Sequence, residues 1–186
     1  MSHHKSGPPS ESPDSDASNE QRAQMEQAYQ QMQRKMRISK MDESIKHKIM
    51  VLSGKGGVGK STVATGLALT LARQGKKVGL MDIDITGPNV PKMLGLEDVQ
   101  LHIEDGQIFP AIGPNGVKVI SMAFLIEDPD KLVIWRGPIT LGAIQQFIGD
   151  VAWGELAALD IDFPQGTGDE PLTVSQTLPN LHGVII

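Results

Sequence analysis

The 186-residue sequence contains no cysteine, so its own residues can form neither a disulfide nor a thiolate metal site. It also lacks an excess of positive charge, with 17 Lys and Arg against 22 Asp and Glu. A basic surface for nucleic acid or for an anionic membrane is therefore not expected. Apolar runs of roughly 18 residues, the length that spans a bilayer, are missing as well. These absences predict a cytoplasmic, soluble protein without nucleic-acid or membrane partners.

The first part of the chain differs in composition from the rest. Residues 1–19 are rich in Ser, Pro, Asp and Glu and have almost no apolar side chains, which predicts a disordered tail. Residues 20–46 carry an apolar stripe at spacings of 4, 3 and 4, which predicts an amphipathic helix. The stripe consists of Met25, Tyr29, Met32 and Met36. Two interpretations stay open: the helix covers the core of the main domain, or it is an arm for a partner or a second copy.

Residues 47–186 alternate short apolar runs with helical patterns, which is typical of βαβ units. We therefore predict an α/β fold with a doubly wound, mostly parallel sheet. The predicted strands are KIMVLS, KKVGLMD, VKVISM, VIW, LDIDF and GVII. One helix is predicted from Lys60 to about Gln74, and a second near Pro138, with one face formed by Leu141, Ile144, Ile148 and Val151. Because the sequence ends within an apolar strand, we expect a truncated domain that lacks its C-terminal half.

The motif GKGGVGKS at 54–61 carries the strongest functional signal. It fits G-x-x-x-x-G-K-[ST] between a predicted strand and a predicted helix, the arrangement of a phosphate-binding loop. Lys60 is expected to reach the β- and γ-phosphates of ATP, Ser61 to ligate Mg²⁺ and Thr62 to contact the α-phosphate. The predicted Mg-ATP-binding residues are Gly54, Lys55, Gly56, Gly57, Val58, Gly59, Lys60, Ser61 and Thr62.

Lys55 follows the first glycine of this motif, where a cation is not needed to cradle phosphate in the same chain. A long cationic side chain at this position can reach a nucleotide bound by a second subunit and stabilise developing charge, as an arginine finger does. The alternative is an exposed surface lysine without such a role.

Two acidic segments end predicted strands. Asp82 and Asp84 in MDIDIT share one face of an extended chain and are candidates to orient water and Mg²⁺, although Asp also ends strands for turn reasons. In LDIDFPQGTGDEP, Asp162 is the candidate Mg²⁺ carboxylate, and Asp160 is the competing choice deeper in the strand. Gly166 is expected to donate its N–H to the γ-phosphate from a mobile switch loop.

Five segments carry a family resemblance: GKGGVGKS, DIDITGPNVPKMLG, VIWRGP, WGEL and DFPQGTGDEPL. Through them the chain resembles the Mrp/ApbC family of iron-sulfur cluster carrier ATPases, from about Lys46 to Ile186. The resemblance implies a paired-lysine (MinD-like) P-loop ATPase, a homodimer that hydrolyses ATP slowly and transfers a bridging cluster to apo iron-sulfur client proteins. It also implies that Lys55 is the signature lysine, Asp84 the water-orienting carboxylate and Asp162 the Mg²⁺ carboxylate.

Two features depart from the family pattern. Gln165 stands where the family usually has a second proline, which is expected to loosen the switch loop. The cysteine pair that would bind the iron-sulfur cluster is not in this chain, so we expect cluster binding only in a complete protein with downstream cysteines. Two alternatives stay open: a nucleotide-gated positioning or binding ATPase of the MinD/ParA type, and an inert truncated copy.

Overall fold

The computed structural model describes residues 13–84, 87, 89–104, 106–126, 147–165 and 180–186. Contacts within the chain define two units, Met1–Met36 and Arg37–Ile186. The helices are α1 (Pro13–Ser44), α2 (Lys60–Arg73), α3 (Val90–Leu94) and α4 (Ala123–Ile126). The strands are β1 (Ile45–Val51), β2 (Val78–Asp82), β3 (His102–Glu104), β4 (Gln107–Phe109), β5 (Ala111–Ile112), β6 (Lys118–Ser121), β7 (Leu156–Asp162) and β8 (Gly183–Ile185). None of the helices in these ranges is long and apolar enough to cross a membrane.

Helix α1 begins at Pro13 and so extends into the segment 1–19 that was predicted to be a disordered tail. Proline suits the first turn of a helix because its φ angle is already helical and its missing N–H needs no partner there. The predicted boundaries are corrected accordingly: residues 13–19 are helical, the helix ends at Ser44, and residues 1–12 lie outside the described part. The predicted apolar stripe is exposed at each of Met25, Tyr29, Met32 and Met36.

The described residues of the second unit form a six-stranded sheet with the strand order β5-β6-β2-β7-β1-β8. Five strands of this sheet run parallel to one another, namely β6, β2, β7, β1 and β8. Strand β5 pairs antiparallel with β6 at one edge. The prediction of a mostly parallel α/β sheet is therefore confirmed. Strands β3 and β4 form a separate antiparallel hairpin, which was not predicted because three-residue strands leave little periodicity.

The core around β2 explains why this strand reads as one continuous apolar run. All five residues of β2 are buried, as expected for an interior parallel strand covered on both faces. Gly79 has no side chain because the space is filled: a Cβ there would lie 2.8–2.9 Å from atoms of Trp153, Leu156 and Leu159. The indole N–H of Trp153 donates to the carbonyl of Phe147 at 3.1 Å, so this large ring is held in one position.

Two predicted elements fall largely outside the described residues. The strand VIW at 133–135 and the beginning of the helix near Pro138 lie in the range 127–146, which the structure does not describe. Ile148 and Val151, the last two residues of the predicted apolar face of that helix, are buried.

Candidate functional site

Three adjacent strands bring the candidate segments to one edge of the sheet. In the register of β1, β7 and β2, Val51 lies beside Asp162, and Asp162 lies beside Asp82. Parallel strands end at the same edge, and this edge is where ligands bind in open α/β sheets. The glycine-rich loop after β1, the segment after β2 and the segment after β7 therefore converge there.

The loop after β1 has the geometry that its glycines allow. Gly57 and Gly59 have φ angles of 73° and 93°, which a residue with a side chain rarely adopts. Gly59 precedes α2 and accepts its first helical hydrogen bond, from Val63 N–H at 2.9 Å. Among the described residues no side chain caps the start of α2, so its first N–H groups and its positive dipole end are oriented to bind an anion.

A cleft of about 720 Å³ opens above this loop. The predicted residues that line it are Lys55, Gly56, Gly57, Gly59, Lys60, Ser61, Thr62 and Asp84. Gly54 and Val58 are not among its lining residues, and Val58 is instead 63% exposed. Gly166 lies outside the described part of the chain. The structure thus brings most of the predicted Mg-ATP residues together around one cavity.

Lys60 is the centre of the charge arrangement in the cleft. Its Nζ lies 2.5 Å from Asp162 Oδ1, 3.9 Å from Asp84 Oδ2 and 3.2 Å from Ser61 Oγ. The Lys60 side chain is only 7% exposed, so water screens these interactions weakly. One ammonium group therefore holds the carboxylates from β7 and from the segment after β2 on the same side of the glycine-rich loop.

Asp82 does not face the cleft, contrary to the prediction that it shares a face with Asp84. Its side chain is buried, accepts a hydrogen bond from Ser121 Oγ at 2.8 Å and accepts another from Asp84 N–H at 3.1 Å. Burial raises the pKa of Asp82 to about 7, against the opposing effect of the Ser121 hydrogen bond. Strand β2 ends at Asp82, and of the two carboxylates only that of Asp84 lines the cavity, where its Oδ1 accepts a hydrogen bond from Gly87 N–H at 3.3 Å.

The two acidic residues of β7 have different surroundings. Asp162 ends the strand beside Lys60; burial raises its pKa, and hydrogen bonds from Lys60 and Ser61 oppose that rise. Asp160 is fully buried inside the strand, and in the described part of the protein neither of its carboxylate oxygens has a hydrogen-bond partner. Burial raises the pKa of Asp160 to about 7. The geometry therefore favours Asp162 over Asp160 as the acidic residue of the site.

Lys55 lines the cleft and is exposed, and within the described ranges no carboxylate forms an ion pair with it. Several further residues line the cleft and were not predicted from the sequence to do so: Ser53, Gly87, Asn89, Lys92, Met93 and Gln165. Gly87, Asn89, Lys92 and Met93 belong to the segment GPNVPKMLG. The resemblance of this segment to a known family was the sequence feature that could have indicated a place in the site. Nothing in the spacing of that segment indicated that it faces the loop after β1.

The site has the features that define a P-loop protein. A glycine-rich loop joins a parallel strand to a helix, and its lysine pairs with the carboxylate that ends a neighbouring strand. A model of the family described as "ParA: NUBPL iron-transfer P-loop NTPase" matches residues 44–186. The chain belongs to this family of iron-transfer P-loop NTPases, which confirms the resemblance seen in the motifs.

Curated proteins that are similar in sequence to this chain support the same assignment. The iron-sulfur cluster carrier protein of Methanocaldococcus jannaschii is 53% identical over 154 residues, which are 83% of this chain and 53% of that protein. The cytosolic Fe-S cluster assembly factor NUBP2 homolog of Culex quinquefasciatus is 53% identical over 150 residues, 78% of this chain and 58% of that protein. The chain spans about half the length of the curated relatives that it matches.

A solved structure shares the fold. It is a nucleotide-binding protein from Archaeoglobus fulgidus in complex with ADP, with 45% sequence identity and a TM-score of 0.68. The similarity covers 82% of this chain and 58% of that one.

Proposed function

We propose that this chain is the nucleotide-binding part of an iron-sulfur cluster carrier and that it binds Mg-ATP in the cleft above the glycine-rich loop. The observation that carries the proposal is the position of Lys60 at the start of α2, between the glycine-rich loop and the carboxylates of Asp84 and Asp162. The names of the similar proteins, an iron-sulfur cluster carrier and an ADP complex, support the same function.

Each residue around the loop has a defined part in this proposal. The backbone N–H groups from Gly56 to Ser61 donate to phosphate oxygens, and the dipole of α2 stabilises their negative charge. Lys60 exchanges its hydrogen bond with Asp162 for the β- and γ-phosphates, because a triphosphate offers it more negative charge than one buried carboxylate. Thr62 lines the same cleft and contacts the α-phosphate.

The residues present fit a magnesium ion next to the nucleotide. Asp162 Oδ2 is buried and has no hydrogen-bond partner among the described residues, and the hydroxyl of Ser61 is close enough to bond to the same carboxylate. Oxygen donors of this kind suit Mg²⁺, which normally keeps several waters and binds through one or two protein groups and phosphate. Bound there by Ser61, with Asp162 behind it, the ion would neutralise charge on the phosphates.

We further propose that the bound ATP is hydrolysed slowly in a homodimer. Asp84 reaches the cavity from the segment after β2 and would hold the attacking water. Lys55 lines the cleft, is exposed, and would reach the nucleotide of the second subunit, where it stabilises charge as an arginine finger does. Gly166 would donate its N–H to the γ-phosphate from the segment after Gln165.

The iron-sulfur cluster is the cargo of the whole protein in this proposal. Clusters are bound by cysteine thiolates, and this chain contains none, so the cluster ligands would come from a part of the protein outside this sequence. The recipients would be apo iron-sulfur proteins, and the location would be the cytoplasm, as in the name of the Culex relative.

Thermal unfolding with and without nucleotide tests the binding site. At about a hundredfold excess over the dissociation constant, Mg-ATP should stabilise the fold by about 2.7 kcal/mol, because it binds only the folded state. Lys60→Ala should abolish this increase in melting temperature, each variant being compared with its own nucleotide-free sample.

Lys77→Ala is the matched control, since Lys77 is 74% exposed and is not among the residues that line the cleft. This variant should keep the full stabilisation. An equal increase in melting temperature for the wild type and Lys60→Ala would refute the proposed site.

A further inference from the structure

The side chain of Gln165 lies directly on the glycine-rich loop. Gln165 follows Asp162 by three positions, lines the nucleotide cleft and is otherwise exposed. A Cβ atom built on Gly56 would be 1.8 Å from Gln165 Oε1, 3.0 Å from its Cδ and 3.5 Å from its Nε2. The carboxamide of Gln165 therefore occupies the space in which Gly56 lacks a side chain.

This contact gives Gly56 a different role from its neighbours. Gly57 and Gly59 have positive φ angles and need glycine for their backbone conformation, whereas Gly56 does not. The three atoms nearest to the missing Cβ of Gly56 all belong to Gln165. Among the described residues, the first atoms that a methyl group at this position would meet are therefore those of the flexible Gln165 amide.

We propose that Gln165 is a further residue of the nucleotide site, and that its amide contacts the terminal phosphate of ATP and the water that attacks it. This inference rests on the proposed function. The amide lies against the loop that would cradle the phosphates, and Gln165 lines the cleft together with Lys60 and Asp84. A carboxamide offers both an acceptor for a water proton and donors for a phosphate oxygen, and it carries no charge that would repel the phosphates.

The proposed step is ordinary hydrolysis. The water oxygen forms a bond to the terminal phosphorus, and the bond from that phosphorus to the bridging oxygen breaks, with its electron pair remaining on ADP. The protons of the water leave with inorganic phosphate and to solvent. Gln165 neither gains nor loses a proton; it fixes the direction of the water and contacts the charge on the transferred group.

Binding of ADP with aluminium fluoride tests the contact without requiring fast turnover, because this complex mimics the transferred phosphoryl group. Gln165→Ala should bind ADP as the wild type does and should lose about tenfold in affinity for ADP with aluminium fluoride, the equivalent of one hydrogen bond of about 1.4 kcal/mol. Hydrolysis should fall by a similar factor with KM nearly unchanged. Gln165→Glu should weaken ATP binding more than ADP binding, since the added charge faces the extra phosphate.

A double-mutant cycle tests whether the amide acts from its place over Gly56. Gly56→Ala should displace the flexible amide and reproduce the loss seen in Gln165→Ala, and it should add less than about twofold in the Gln165→Ala background. Gly57→Ala is the control, because its backbone strain at φ 73° does not depend on Gln165 and its effect should be equal in both backgrounds.

The outcomes separate the two proposals. A wild-type chain that binds neither ATP nor ADP would refute the proposed function. Wild-type nucleotide binding, together with equal affinity of wild type and Gln165→Ala for ADP with aluminium fluoride, would refute the role of Gln165 alone. Equal effects of Gly56→Ala in both backgrounds would refute the action of the amide through its contact with Gly56.

Discussion

Replacing Asp160 with valine is expected to stabilise the fold. Asp160 is fully buried in β7, with Ile49 of β1 and Leu80 of β2 as its neighbours across the sheet. Within the described residues neither carboxylate oxygen has a hydrogen-bond partner. A buried charge without a partner destabilises the folded state, whereas valine has a similar volume and suits an interior strand.

The pKa of Asp160 sets the magnitude and the pH range of this effect. Burial raises the pKa from 3.8 to about 7, a difference of about 3 pH units. At about 1.4 kcal/mol per unit, the ionised form costs about 4 kcal/mol of folding stability. Since the folded pKa is raised, the folded state binds the proton more tightly than the unfolded state. The penalty is therefore absent below about pH 4, grows as the pH rises, and is complete above about pH 7.

Urea unfolding followed by circular dichroism, without nucleotide or Mg²⁺, measures this penalty. Between about pH 5 and pH 7, the free energy of unfolding of Asp160→Val should increasingly exceed that of the wild type, by up to about 1.4 kcal/mol per pH unit. Asp160→Asn should lose the same pH dependence but gain less stability, because its amide stays buried without a partner. Asp82 titrates in the same direction, and comparison with the Asp160 variants removes its contribution.

Asp98→Asn, which changes an exposed carboxylate, is the control and should alter stability little. A difference between wild type and Asp160→Val that stays constant from about pH 5 to pH 8 would contradict the assignment of a raised pKa to Asp160. A valine variant less stable than the wild type at about pH 8 would contradict the claim that this carboxylate is unsatisfied.

Lys55→Ala and Asp84→Asn should leave ATP affinity nearly unchanged while lowering hydrolysis in the whole protein. Lys55→Ala should also weaken nucleotide-dependent dimerisation. A loss of ATP binding as large as in Lys60→Ala would contradict these roles. Gly79→Ala should destabilise the fold by about 1–3 kcal/mol because its methyl group meets three core side chains. Gly66→Ala on α2, where the added methyl group meets no atom of the described residues within 4 Å apart from the helix's own backbone, should instead stabilise it by about 0.5–1 kcal/mol. Urea unfolding measures the change in the free energy of unfolding for both glycine variants. An equal change for the two would contradict the expected difference.

The parts of the site that follow local rules were predictable from the sequence. Gly57 and Gly59 sit in a strand-loop-helix motif whose spacing alone fixes the position of Lys60. The sequence predicts only that Lys60 and Asp162 lie at the same edge of the sheet. Their ion pair could not be predicted, because no local pattern measures a distance between residues about 100 positions apart in sequence.

Other features depend on contacts that a linear pattern does not contain. The alternation of Asp82 and Asp84 suggested one shared face, but the chain leaves the strand between them and Ser121 holds Asp82 in the core. The contact of Gln165 with Gly56 likewise joins two loops that follow different strands. The start of α1 at Pro13 was missed for a different reason, because a polar composition shows that a segment has few residues for a core but does not fix the residue at which a helix begins.

The position of β7 has a consequence for how the protein is made. Although β1 and β2 follow each other along the chain, β7 lies between them in the sheet. While the polypeptide is being synthesised, the glycine-rich loop therefore leaves the ribosome long before Asp162 does, and its neighbouring strand is missing during that time. The nascent chain cannot complete its phosphate site until this late strand inserts between two early ones. A nucleotide added during translation is accordingly expected to bind only after β7 has emerged, which makes its capture a marker of the insertion of β7 into the sheet.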